Sequence, residues 1–441
     1  MVPLQFVRRV ALGSADSASR LVLAVLLLQS SVLAAEPEAA ARATSPAASF
    51  VSRAASATEF FPLPENSELC TGDLIVALPG ASFTSKNGSV AVKSLADYDG
   101  KSPLPVLETA FTLNEAKDVD LDIALDRGRV DFTNVKAEGA AVVRARFWNQ
   151  SWKITLDAKG TRVALELCAR WPAGSRFKLA SGMDKPPEPI ASLVLLVISG
   201  SAAADVGGLT LGLSAPPGPA LVEWDSVAGV RPQRQKLDKL PAWADPDASL
   251  SPHGKKVAEG IEKFRKARAE NAAGALKSFI DSADPIEQRI ALVTLGATDD
   301  LVQLLQALAA ARNLQEWDFG IAVVRHWLGR TPGNERKLYD RLVSPVLGFT
   351  PNTARTIIQL LFGFSADDLR QPETYEVLIE YLRHDQPSIR NLAAWHLVRL
   401  VPVGKTIAFK PNGTKAEAET AYGQWKKLIP SGMLPPPPKK K

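Results

Sequence analysis

Apolar and polar positions change rhythm once along this chain, near residue 254. Before that point apolar residues recur every second position in short runs. Val119, Leu121, Ile123 and Leu125 share one side, and Asp120, Asp122 and Ala124 the other. Val143, Ala145 and Phe147 likewise alternate with Arg144 and Arg146. A period of two is that of a strand buried on one face. Further strand-like runs lie at 74–78, 89–95, 104–113, 129–135, 152–156, 161–171, 191–199, 209–213 and 221–224. Turn signals stand at 126–128, 149–150 and 157–160. Short strands joined by tight turns predict an all-β antiparallel sandwich or roll rather than βαβ units.

After Gly254 the period becomes helical. Val257, Ile261 and Phe264 follow i, i+4, i+7 spacing. Asp284-Pro285-Ile286-Glu287 reads as a helix start, with Asp284 as cap, Pro285 at the first turn and Glu287 completing a capping box. Thr331-Pro332, Thr350-Pro351 and Asp385 to Pro387 read as further starts. Apolar stripes follow at Leu301, Leu304 and Leu308; at Trp317, Ile321, Val324 and Trp327; at Tyr375, Leu378 and Leu382; and at Ala421, Trp425 and Leu428. Short helices in unbroken succession predict an all-α solenoid of the HEAT/armadillo type.

These rhythms divide the chain. Residues 1–35 carry Arg8, Arg9 and Arg20 ahead of an apolar run of about 14 residues that ends in Val32-Leu33-Ala34. That is a signal peptide or short anchor; roughly 20 apolar residues are needed to span a bilayer. Residues 36–57 read as a flexible Ala/Ser/Thr leader, 58–230 as the β domain, 231–253 as a linker, 254–430 as the helical domain and 431–441 as a disordered Pro/Lys tail.

Composition adds little to this. The net charge of +5 includes Lys439, Lys440 and Lys441. With no zinc spacing and no aromatic-interleaved basic patch, nucleic acid is not expected as a partner. Export makes Cys70 and Cys168 either one disulfide or two buried free thiols. The four histidines show no metal-ligand spacing, and no nucleophile elbow, phosphate loop or dinucleotide fingerprint is present. Three weaker signals remain. Asp118, Asp120 and Asp122 recur with period two, as a cation site or a glycosidase carboxylate set would allow. Arg144, Arg146, Lys153 and Arg162 could make a basic face for an acidic ligand. Trp148, Trp152 and Trp171 could stack on sugars. A solvated sheet face and a hairpin core account for the same residues more simply.

Two stretches resemble known families. Residues 284–296, DPIEQRIALVTLG, and 385–397, DQPSIRNLAAWHL, are similar to the second helix of a HEAT repeat. The resemblance implies structural roles for Asp284 and Asp385 as caps and for Arg289 and Arg390 in the stack. Thr71-Gly72-Asp73, residues 126–130 and residues 160–164, in that order, resemble the FecR-type periplasmic domain. That implies an extracytoplasmic sensing or docking module. Sigma-factor regulators of that family carry a cytoplasmic domain before their membrane span, whereas only about 20 residues precede the apolar run here.

The expectation is therefore a bacterial periplasmic or otherwise extracytoplasmic protein without catalytic residues, metal or cofactor. It would serve as a scaffold whose partners are other envelope proteins. Binding of cell-wall carbohydrate, FecR-type signalling and Asp-based hydrolysis stand behind that reading, in this order. Membrane contact is expected only if the N-terminal segment stays uncleaved.

Overall fold

The computed structural model describes residues 38–101, 108–179, 188–229, 231–311, 314–410 and 412–437. The expected signal peptide or anchor, residues 104–107 of one expected strand and the terminal lysines lie outside the described residues.

Seventeen strands precede ten helices among the described residues. The first nine strands are β1 (Ala39–Ala43), β2 (Phe50–Arg53), β3 (Phe61–Pro62), β4 (Glu68–Cys70), β5 (Leu74–Ala77), β6 (Ser82–Ser85), β7 (Val90–Leu95), β8 (Thr109–Asn114) and β9 (Leu121–Asn134). Then come β10 (Ala141–Phe147), β11 (Gln150–Leu156), β12 (Arg162–Arg170), β13 (Ile190–Ser199), β14 (Ser201–Val206), β15 (Leu209–Ser214), β16 (Gly218–Asp225) and β17 (Arg234–Leu237). All pair into one mixed sheet.

β9 organises that sheet. Its first half pairs with β8 and β10, its second half with β7 and β12. The expected turn at 126–128 is instead the middle of this strand. Gly128 sits there at φ +92°, and a Cβ would come within 2.5 Å of the Glu108 carbonyl oxygen. Only glycine lets the strand change direction at this point. The sheet thereby folds over, and Ile123, Val143, Trp152 and Ile154 from one layer share a core with Val130, Phe132, Leu165 and Leu195 from the other.

The same geometry corrects the all-antiparallel expectation. β9 and β10 are parallel, with Arg144 opposite Asp122. Parallel neighbours need a crossover, and the second half of β9, running through the other layer, supplies it.

The expected flexible leader is also corrected. β1 lies between β4 and β6, and β2 between β3 and β5. Ala41, Ala43, Ala48, Phe50 and Val51 are buried. Alanines fill a narrow space there and leave no hydrophobic rhythm to read. The expected linker is partly sheet: β17 pairs with β16, and Leu237, Leu240, Trp243 and Ala244 cover Ala164, Leu196 and Ile198 on its outer side.

The helices are α1 (Pro252–Glu270), α2 (Ala272–Ile280), α3 (Pro285–Ala297), α4 (Leu301–Ala309), α5 (Leu314–Gly329), α6 (Asn334–Val343), α7 (Pro351–Phe362), α8 (Pro372–Tyr381), α9 (Pro387–Leu400) and α10 (Lys415–Leu428). Asp284 caps α3 by accepting from the Ile286 amide at 2.8 Å, and Thr350 caps α7 through Thr353 at 3.2 Å. Thr331 starts no helix, because α6 opens two residues after Pro332 with Gly333 at its cap. Most helices pack on the next one or two along the chain, around one apolar core. No described helix is long and apolar enough to cross a membrane.

The β part and the helices are one compact unit, Ala39–Lys441. Trp171, just past β12, donates its indole N–H to the Leu328 carbonyl at 3.0 Å and stacks on Phe362 at 4.8 Å.

Candidate functional site

The expected acidic row meets Arg144 and Arg146 of the expected basic row, whereas Arg162 lies on β12 and pairs with Asp131. Because β9 and β10 are parallel and in register, Arg144 reaches Asp118 at 2.8 Å and Asp122 at 3.2 Å, while Arg146 holds Asp122 at 2.7 Å. Lys136 pairs with Asp120 at 2.8 Å. Burial would raise the Asp122 carboxyl, but Arg146, Asn114 and Arg144 together hold it below the ordinary carboxylate range. An ionised carboxylate saturated by guanidinium groups has no proton to donate, and this one is shielded from substrate. Among the described residues no group of three or more His, Cys, Asp or Glu side chains could hold a metal ion.

Two of the three tryptophans are closed to a sugar. Trp152 and Trp171 are buried, Trp152 in the sheet core and Trp171 against the helices. Trp148 is half-buried at the β10–β11 turn, where its φ is +50°.

The cysteines are both free thiols, which corrects the disulfide alternative. Cys70 lies on β4 and Cys168 on β12, strands that do not pair with each other. Burial pushes the Cys168 thiol up to about 12, so it stays protonated.

The four residues singled out by the HEAT resemblance stand on or just before α3 and α9. Asp385 does not cap α9, which corrects that expectation. Gln386 stands at the cap, and the Asp385 carboxylate pairs with Lys415 at 3.1 Å. Arg390 donates to the carbonyls of His384 and Asp385 at 2.9 and 3.0 Å and to that of Gly413 at 3.3 Å. It thus ties α9 to the turn before α10. Arg289 on α3 lies 4.6 Å over the Phe319 ring of α5. Its Nε is buried without a hydrogen-bond partner.

Sequence reading missed a buried charge network between β part and helices. Arg127, inside β9, bonds Glu108 at 3.0 Å and the Ala297 carbonyl, at the end of α3, at 2.8 Å. Burial would raise the Glu108 carboxyl; His326 and Arg127 outweigh it and hold it well below the usual range. His326 Nε2 stands 3.5 Å from that carboxylate without a hydrogen bond. Asp299, after α3, accepts from the Trp327 indole at 3.0 Å and Arg53 at 3.1 Å, and pairs with Arg330. Apart from Asp126, which pairs with Arg127 beside it, the partners lie about 20 to 250 positions away along the chain, so local pattern does not mark the network.

The open feature of the helical part is a groove of about 970 Å³ between α1, α3 and α5. It is lined by Ile286, Leu292 and Phe319 together with the charged Lys256, Glu259, Asp284 and Glu287. A second hollow of about 280 Å³, against α4, shares Gln288, Leu292 and Glu316 with it. Arg289 is also among the residues that line the larger hollow.

Comparison of the chain with known protein families, with curated proteins and with solved structures finds no match.

Proposed function

We propose that this chain is a non-catalytic docking protein of the bacterial envelope. In this reading the helices form a HEAT-like solenoid and receive a polypeptide partner in the α1–α3–α5 groove. The β part, of FecR type, is the mount. The observation that carries the reading is the groove itself: a hollow lined by both apolar and charged side chains across three helices that stack on one another. Stacked helices present continuous surfaces that suit extended partners, and buried apolar anchors ringed by polar groups are how such surfaces bind. Neighbour-to-neighbour packing and the bonds of Arg390 to the next turn support the solenoid. The basic-then-apolar N-terminal segment supports export. Pairing of the aspartates with Arg144 and Arg146, and burial of Trp152 and Trp171, favour this reading over hydrolysis or sugar binding.

The test is a photo-crosslinking side chain at Gln288, which lines both hollows. Irradiation in envelope extract is expected to give one dominant polypeptide adduct that Phe319→Asp abolishes. No polypeptide adduct, or one unaffected by Phe319→Asp, contradicts the reading.

A further inference from the structure

β12 and β13 are antiparallel neighbours whose last pair is Arg170 with Ile190. A two-residue turn is enough to join such strands. The chain spends residues 171–189 on the connection instead. The described part, residues 171–179, leaves the sheet and lies on α5, α6 and α7.

It is held the way a separate peptide would be held. Beyond Trp171, the Gln359 side chain on α7 reads the backbone on both sides of Arg176. Its Nε2 donates to the Ser175 carbonyl at 2.8 Å, and its Oε1 accepts from the Phe177 amide at 3.3 Å. A side-chain amide has one donor face and one acceptor face and can pair with a backbone in this manner whatever the neighbouring side chains. Side chains then add selectivity. The Arg176 guanidinium meets the Asp368 carboxylate at 3.2 Å. The Phe177 ring stacks on Tyr339 of α6 at 5.6 Å, and Phe177 and Leu179 pack against the helical core. Gly174 has φ +82°, and a Cβ there would stand 2.6 Å from the Ser365 Cβ, so glycine lets the segment settle on the helices.

We propose that this α6–α7 face is a binding site for short polypeptide segments, and that residues 172–179 occupy it as an internal ligand. The partner it fits has the same chemistry: a basic residue followed by an aromatic one, on a backbone free to pair with Gln359. The site shares no residue with the α1–α3–α5 groove and does not rest on that reading. A tethered segment holds its site at an effective concentration of roughly millimolar. A competitor therefore displaces it by binding more tightly, and the segment acts as a built-in threshold.

The probe is a fluorescent peptide copying residues 172–179. One receptor is the full chain; the other is the full chain with its own segment loosened by Arg176→Glu and Phe177→Ala. The peptide is expected to bind the loosened chain saturably and at least tenfold more tightly than the unmodified one. Adding Gln359→Ala should weaken that binding at least fivefold, and a peptide carrying Asp in place of its arginine should not bind. Absence of binding to a loosened chain that melts cooperatively, or binding indifferent to Gln359→Ala, overturns the proposal. A second measurement needs no variant. Hydrogen exchange at the Phe177 amide of the unmodified chain should speed up as unlabelled peptide is raised through the millimolar range. No acceleration overturns the proposal as well.

Discussion

His396 shows how one side chain sets a pH dependence. It lies on α9 with Nε2 2.7 Å from the Leu360 carbonyl, which accepts its proton. Burial, with Arg325 and Arg399 nearby, lowers its pKa from 6.5 to about 4. Between those values the unfolded chain binds a proton that the folded chain refuses. Stability is therefore intact above pH 6.5 and falls as pH drops toward 4, by roughly 3 kcal/mol at most from this group. Urea denaturation across that window should show a shallower slope for His396→Gln; an unchanged slope would refute the assignment. Arg127 is the second residue-scale case. Arg127→Met leaves Glu108 buried without its guanidinium partner, which costs about 3–5 kcal/mol. A loss below about 1 kcal/mol in denaturant titration would show that the pair is not buried in solution. Residues of this kind are not legible in sequence. Asp284 was, because a cap and its target amide are two positions apart; Arg127 was not, because Glu108 and the Ala297 carbonyl come from just before β8 and from the end of α3.

At the scale of elements, legibility follows how each element announces itself. Strands with alternating large side chains, such as β10, and helices with a proline-marked start, such as α3 and α7, stand out from local pattern alone. β1 does not, since Ala39–Ala43 is nearly all alanine. β9 was read as two strands and a turn, since Gly128 looks like punctuation when it is in fact a bend inside one strand. Two predictions belong here. Deleting residues 39–53 removes β1 and β2 from positions where each has neighbours on both sides, so the β part should lose its cooperative melting transition. A true flexible leader would leave that transition untouched. Gly128→Val should destabilise the chain by about 2 kcal/mol or more, because the new side chain meets the Glu108 carbonyl and the φ is left-handed. A neutral effect would place the bend elsewhere.

For the whole molecule, the order of β part and helices was legible and their union was not. A polar 231–253 stretch looks like a flexible tether, yet its apolar residues Leu237, Leu240 and Trp243 seal the outer side of the sheet. The interface is built from Trp171, Arg127 and Asp299, whose contacts cross more than 150 positions of sequence. Calorimetry should accordingly show one transition for Ala39–Lys441, and Arg127→Met should separate it into two; two transitions in the unmodified chain would contradict a common unit. The candidate site divides the same way. Arg289 drew notice through the resemblance of its stretch to a HEAT repeat, while the groove it lines depends on how α1, α3 and α5 stack. That groove carries the account's central claim, and the most direct measurement is calorimetric titration with the polypeptide crosslinked at Gln288. A loss of affinity of tenfold or more for Phe319→Asp, in a chain that still melts cooperatively, is the predicted result, and equal affinity for the two chains would contradict it.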